Sequence, residues 1–165
     1  MKKIIKPLLL VLLAAFIIIQ FFKPEKNIHP GTDAVKNNIT SLYPAPEDVE
    51  HILQTSCYDC HSNNTKYPWY NNIQPVTWWL NHHVNDAKKD LNFDEFATYK
   101  LSRQYKKAEQ IIDEVKEGKM PLSSYTFIHT EAKLNADQKT AIQNWAAAIM
   151  DTLEARYPAD SLIKK

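Results

Sequence analysis

Residues 46–61 read PEDVEHILQTSCYDCH, an amphipathic pattern that runs straight into two cysteines and a histidine. Val49, Ile52 and Leu53, then Ser56 and Cys57, recur at spacings of three and four, and Pro46 with the acidic residues after it marks a helix start. A short helix is therefore predicted from Glu47 to about Cys57. The five residues it delivers, Cys57-Tyr58-Asp59-Cys60-His61, form C-x-x-C-H. Two thiols three residues apart on one turn can each bond a vinyl carbon on one edge of a porphyrin, and the adjacent imidazole then falls under the metal. The motif predicts one covalent haem c and its iron, with Cys57 and Cys60 as attachment residues and His61 as an axial ligand.

Other chemistries use paired cysteines. A thioredoxin-type redox pair expects a strand before it and a parallel sheet around it, and no strand pattern is visible here. A zinc site would need more ligands; no second Cys pair exists, though His82, His83 and His129 could be recruited. A disulfide between the two cysteines leaves His61 unexplained. For the sixth iron position the candidate is Met120, in Gly118-Lys119-Met120-Pro121 on a loop just after a helix. His83, on the Trp79/Leu80 face of its helix, is the alternative. His129 lies in a polar stretch and reads as solvated.

The rest of the chain reads as helices joined by proline-marked loops. Nine Pro and only two Gly among 165 residues, with 44% hydrophobic residues and four Trp, favour an all-α packed domain. Helical periodicity covers Pro75 to about Lys88 (Val76, Trp79, Leu80, His83, Ala87) and a segment around 108–115 (Ala108, Ile111, Ile112, Val115) stopped by Gly118 and Pro121. Asn92 with Glu95 resembles a capping box opening a segment over 93–101. Asn135 with Gln138 caps a final helix carrying Ile142, Trp145, Ala146, Ile149 and Leu153, which Pro158 ends. The helix before the motif is expected to cross this last helix. Asn38 and Asn63 each head an N-x-T triplet and read as loop residues rather than glycosylation sites.

Lys2, Lys3 and Lys6 precede an uncharged run from Pro7 to Phe22. A basic start before an apolar core reads as an export signal. Leu8 to Phe22 would make roughly 22 Å of helix, against roughly 30 Å of hydrocarbon core. Phe21 and Phe22 stand where a signal peptidase needs small side chains, so an uncleaved membrane anchor is expected over residues 1–22. A linker over 23–45, broken by Pro24, Pro30, Gly31 and Pro44, the domain over 46–158 and a tail over 159–165 complete the division. The body is then placed on the periplasmic side of a bacterial inner membrane, or free in the periplasm if the signal is cleaved. The three leading lysines leave 17 basic against 19 acidic residues, which lacks the basic footprint of a nucleic-acid binder.

Cys57 to Thr65, then Tyr67-Pro68-Trp69-Tyr70, Pro75, Trp79-Leu80, His83-Val84, Leu91-Asn92-Phe93, Gly118-Lys119-Met120-Pro121, Tyr125 and Leu134 resemble the bacterial haem-binding domain family of cytochrome c-like proteins, from about Pro46 to Trp145. The resemblance implies a helical cytochrome c-like domain around one covalent haem, held by Cys57, Cys60 and His61 with Met120 opposite. A Gly-Arg pair expected shortly after His83-Val84 is replaced by Asp86-Ala87-Lys88, so Lys88 stands in for a propionate-binding arginine. The functional expectation is a membrane-tethered single-haem electron carrier serving a redox partner protein, and not an enzyme. The rival is a peroxidase-like haem enzyme or a haem sensor with an open sixth position. If attachment is covalent, denaturing gels retain haem peroxidase stain on the exported protein, and Cys57→Ala with Cys60→Ala removes it. Free thiols with stoichiometric zinc would overturn the assignment.

Overall fold

The short motif helix packs against the helix that precedes it and against the helix Val76–Asp90. The computed structural model describes residues 2–29 and 36–163, and all of its regular elements there are helices: α1 (Lys2–Ile19), α2 (Ile39–Leu42), α3 (Glu47–Ser56), α4 (Tyr58–His61), α5 (Val76–Asp90), α6 (Leu101–Lys116), α7 (Ser123–Thr126), α8 (Ala136–Arg156) and α9 (Ala159–Leu162). Short 3₁₀ turns cover Trp69–Asn72, Phe93–Thr98 and Thr130–Ala132. The all-α expectation holds. The breakers Pro30 and Gly31 lie outside the described residues.

Helix α3 forms because its apolar positions fall on one face while Glu47, Asp48 and Glu50 meet the positive end of its dipole. That face buries Val49, Ile52 and Leu53. Helix α8 opens with a complete capping box between Asn135 and Gln138 and buries Ile142, Trp145, Ala146, Ile149 and Leu153. The two helices pack across each other, and α6 lies along α8 in the most extensive contact of the fold. Val49, Leu53, Trp145 and Ile149 share one cluster with Phe93, Phe96 and Ala108, while Ile52, Ile142, Val115 and Leu134 form a second.

Three segments differ from the sequence reading. The stretch after Asn92 is a 3₁₀ turn, because Asn92 accepts from the Asp94 amide and Tyr99 Oη already takes the Asn92 N–H, leaving no capping box with Glu95. Helix α6 starts at Leu101, about two turns before the periodic apolar positions begin. The polar stretch after Phe22 lies against the domain: the Asn27 side chain donates to the Ser62 carbonyl and to Thr65 Oγ1, while His29 and Asn63 pair through an N–H to carbonyl bond of 3.0 Å. Near the C-terminus, α9 puts Leu162 into the core.

The N-terminal run forms α1, whose apolar side chains are exposed along its length. Among the described residues no helix is long and apolar enough to cross a membrane. The expected spanning anchor is corrected to that extent: α1 has 18 residues and carries its three lysines within them. Trp145 is 5% exposed with its indole N–H buried and unpaired, so its contribution is packing. Trp145→Ala is expected to cost about 3–5 kcal/mol and lower the unfolding temperature sharply, with Trp145→Phe costing much less. Thermal melts of the two variants check this, and an unchanged melt for the alanine variant refutes the packing.

Candidate functional site

The central cavity has a volume of about 230 Å³ and is walled by α3, α6, α8 and the loop after α6, with Leu53, Ile111, Val115, Leu134 and Ile142 as its apolar lining. Cys57, His61 and Met120 open onto it together. His61 ends α4, a single turn whose Cys60 and His61 amides both return to the Cys57 carbonyl. Its Nδ1–H donates to the Leu91 carbonyl at 2.8 Å. That bond fixes the tautomer and leaves Nε2 as a lone-pair donor. Burial pushes the imidazole below its ordinary pKa against the opposing pull of the Leu91 carbonyl, so the neutral, ligating form is favoured.

Met120 is placed by the end of α6. Gly118 takes φ +70°, a left-handed conformation glycine adopts without a Cβ clash, and the Lys119 and Met120 amides both return to the Glu114 carbonyl. The helix thus stops and turns Met120 back over the cavity. Both cysteines carry free thiols, raised to about 12 at Cys57 by burial and the neighbouring Cys60, and to about 11 at Cys60 by burial and Asp59. Buried in this way, both thiols are held protonated. Among the described residues no group of three or more His, Cys, Asp or Glu is arranged to hold a metal ion.

An apolar cavity with a neutral imidazole nitrogen, a cysteine and a thioether on its wall suits a large apolar ring carrying a metal centre. The haem-binding domain family matches residues 14–148. The chain belongs to that family. No curated protein and no solved structure matches it. Cys57, His61 and Met120 share its main cavity. Cys60 faces another way, into a small neighbouring pocket with Asp59, Tyr70, Tyr125 and His129.

The remaining candidates lie elsewhere. His83 is not on the cavity: its Nδ1–H donates to the Trp79 carbonyl at 2.9 Å and its ring rests 4.2 Å from that of Trp79. His82 is exposed and pairs with Asp86 at 2.7 Å. Lys88, the stand-in for a propionate-binding arginine, instead donates to Asn27 Oδ1. The cavity's own cation is Lys107, with Gln110 and Glu114 on the same face of α6.

His129 is not solvated, its side chain being 21% exposed. Its Nδ1 meets Glu131 Oε1 at 3.3 Å, and since a carboxylate only accepts, Nδ1 carries the proton and Nε2 accepts from Tyr70 Oη at 2.8 Å. The ring stacks on Tyr125 at 4.4 Å, and Tyr125 Oη donates to Asp59 Oδ2 at 2.8 Å. Burial, then Asp59 itself, pushes the Tyr125 phenol far up, keeping it a donor. This chain braces the second motif cysteine from outside. Among the described residues Tyr125 is the one side-chain donor to Asp59, so Tyr125→Phe is expected to cost about 1–3 kcal/mol in chemical denaturation. A denaturation midpoint equal to that of the parent would mean the bond is idle.

Proposed function

We propose that this haem-binding domain is a single-haem electron carrier, with Cys57 and Cys60 as thioether residues, His61 as the proximal ligand and Met120 as the distal one. The observation that carries the reading is the meeting of Cys57, His61 and Met120 on one largely apolar cavity, with Cys57 and His61 belonging to the C-x-x-C-H motif. Bound there, the group would supply a metal that changes oxidation state by one electron. The chain's own residues hold and shield it. The Leu91 carbonyl orients His61 and raises its basicity, the α6 turn presents the thioether, and Leu53, Ile111, Val115 and Ile142 keep water out.

The exposed apolar flanks of α1 and the lysines at its start support a second part of the same reading. This helix is a targeting and membrane-associating segment that leaves the domain on the periplasmic side. An unidentified redox protein is the partner.

Met120 ligation decides between a carrier and an enzyme or sensor with an open iron. In the oxidised protein the weak red absorbance of an iron–thioether bond should appear. Met120→Ala should remove it, lower the reduction potential and admit carbon monoxide to the reduced protein, while His83→Ala does none of these. The opposite pattern establishes bis-histidine ligation, and carbon monoxide binding by the unmutated protein establishes the open site.

A further inference from the structure

Lys107 is 8% exposed, yet its ammonium has a single hydrogen-bonding partner among the described residues, Asp90 Oδ1 at 2.6 Å. Asp90 is itself 71% exposed. A carboxylate standing in water is a poor counter-charge, because solvent screens it while the lysine has lost its own hydration. One acceptor leaves two of the three N–H donors of the ammonium without a partner among the described residues. One turn further along α6, Gln110 lines the same cavity, and its Oε1 is buried without a partner. A buried cation with spare donors, on a cavity whose lining is apolar apart from Ser56, His61, Asp90, Gln110 and Glu114, can recognise an anionic oxygen ligand.

We propose that Lys107, assisted by Gln110, is the binding site for a haem carboxylate, one of the porphyrin's propionate groups, and that it fixes how the ring sits in the cavity. The inference rests on the haem reading above. Lys107 donates to the carboxylate while Asp90 keeps it from swinging out. The Gln110 amide, turned over, offers its N–H₂ to the same group. A cation held beside the ring disfavours the more positive oxidised state, so the pair also sets the potential upward.

The test uses the full-length protein purified with its haem attached, as parent, Lys107→Met, Lys107→Arg and Gln110→Leu. Haem stain on denaturing gels should be equal in all four. In resonance Raman spectra the propionate bending band should shift in Lys107→Met, shift less in Gln110→Leu and stay near the parental position in Lys107→Arg. The reduction potential at neutral pH should fall in Lys107→Met and be largely restored by arginine. If Lys107→Met does not fold, Gln110→Leu carries the same band shift. An unmoved propionate band in the methionine or leucine variant overturns the inference, as does a potential that falls equally with arginine. A changed iron spin state in Lys107→Met alone would make Lys107 an iron ligand and overturn it too. Absence of stain from the parent would instead refute the covalent haem on which it rests.

Discussion

The hydrogen bond from His61 Nδ1 to the Leu91 carbonyl is the contact around which the site is organised. Leu91 closes α5, its own N–H returning to Ala87, so its carbonyl is free of the helix ladder and available to the ring. Asn92, the next residue, then ties the junction down. Its side chain donates to Asn63 Oδ1, just beyond the motif, and its N–H goes to Tyr99 Oη. The orientation of one imidazole is thus tied to the end of one helix, the loop after the motif and the turn before α6. If that carbonyl were displaced, the ring would lose the contact that fixes its tautomer.

The two motif cysteines work in different surroundings. Cys57 looks into the apolar cavity, whose walls come from helices far apart in sequence. Cys60 looks onto the Asp59, Tyr125, His129 and Tyr70 chain, which comes from loops. Burial on both sides, with the Asp59 charge added on the second, favours protonated thiols. A motif held neutral, thiols and imidazole alike, costs little to bury beside an apolar ring. A pair of thiolates there would cost far more.

What could be read from the sequence follows from locality. The α3 stripe, the α8 capping box and C-x-x-C-H each involve residues within a few positions of one another, so period and spacing reveal them. The all-α class and the crossing of α3 with α8 followed. His129 was misjudged because its partners, Tyr70 and Tyr125, are set by folding, and a polar neighbourhood in sequence says nothing about that. Lys107 left a fainter trace: positions 107, 110 and 114 put three polar side chains on a face shared with Ile111 and Val115, which a solvated surface would not explain. The 3₁₀ turn after Asn92 could not be read, because the Tyr99 hydroxyl that competes for the backbone reaches it only once the chain has turned.

The segment from Gln20 to His29 shows how far proline-broken, polar composition can mislead. The Gln20 side chain donates to the Gln74 carbonyl and accepts from the Gln74 N–H, and Trp78 Nε1 donates to the Phe22 carbonyl at 2.8 Å. Asn27 then bonds Ser62 and Thr65, and Ile28 bridges antiparallel to Asn64. A free tether would leave these backbone groups to water and let the domain turn about it. Here successive bonds run from the foot of α1 along α5 to the residues just after His61. The family match begins at residue 14, inside α1, so this strap belongs to the domain and is no mere spacer. Its consequence is directional. With the strap bonded at both ends, the direction in which the cavity faces is coupled to the direction of α1.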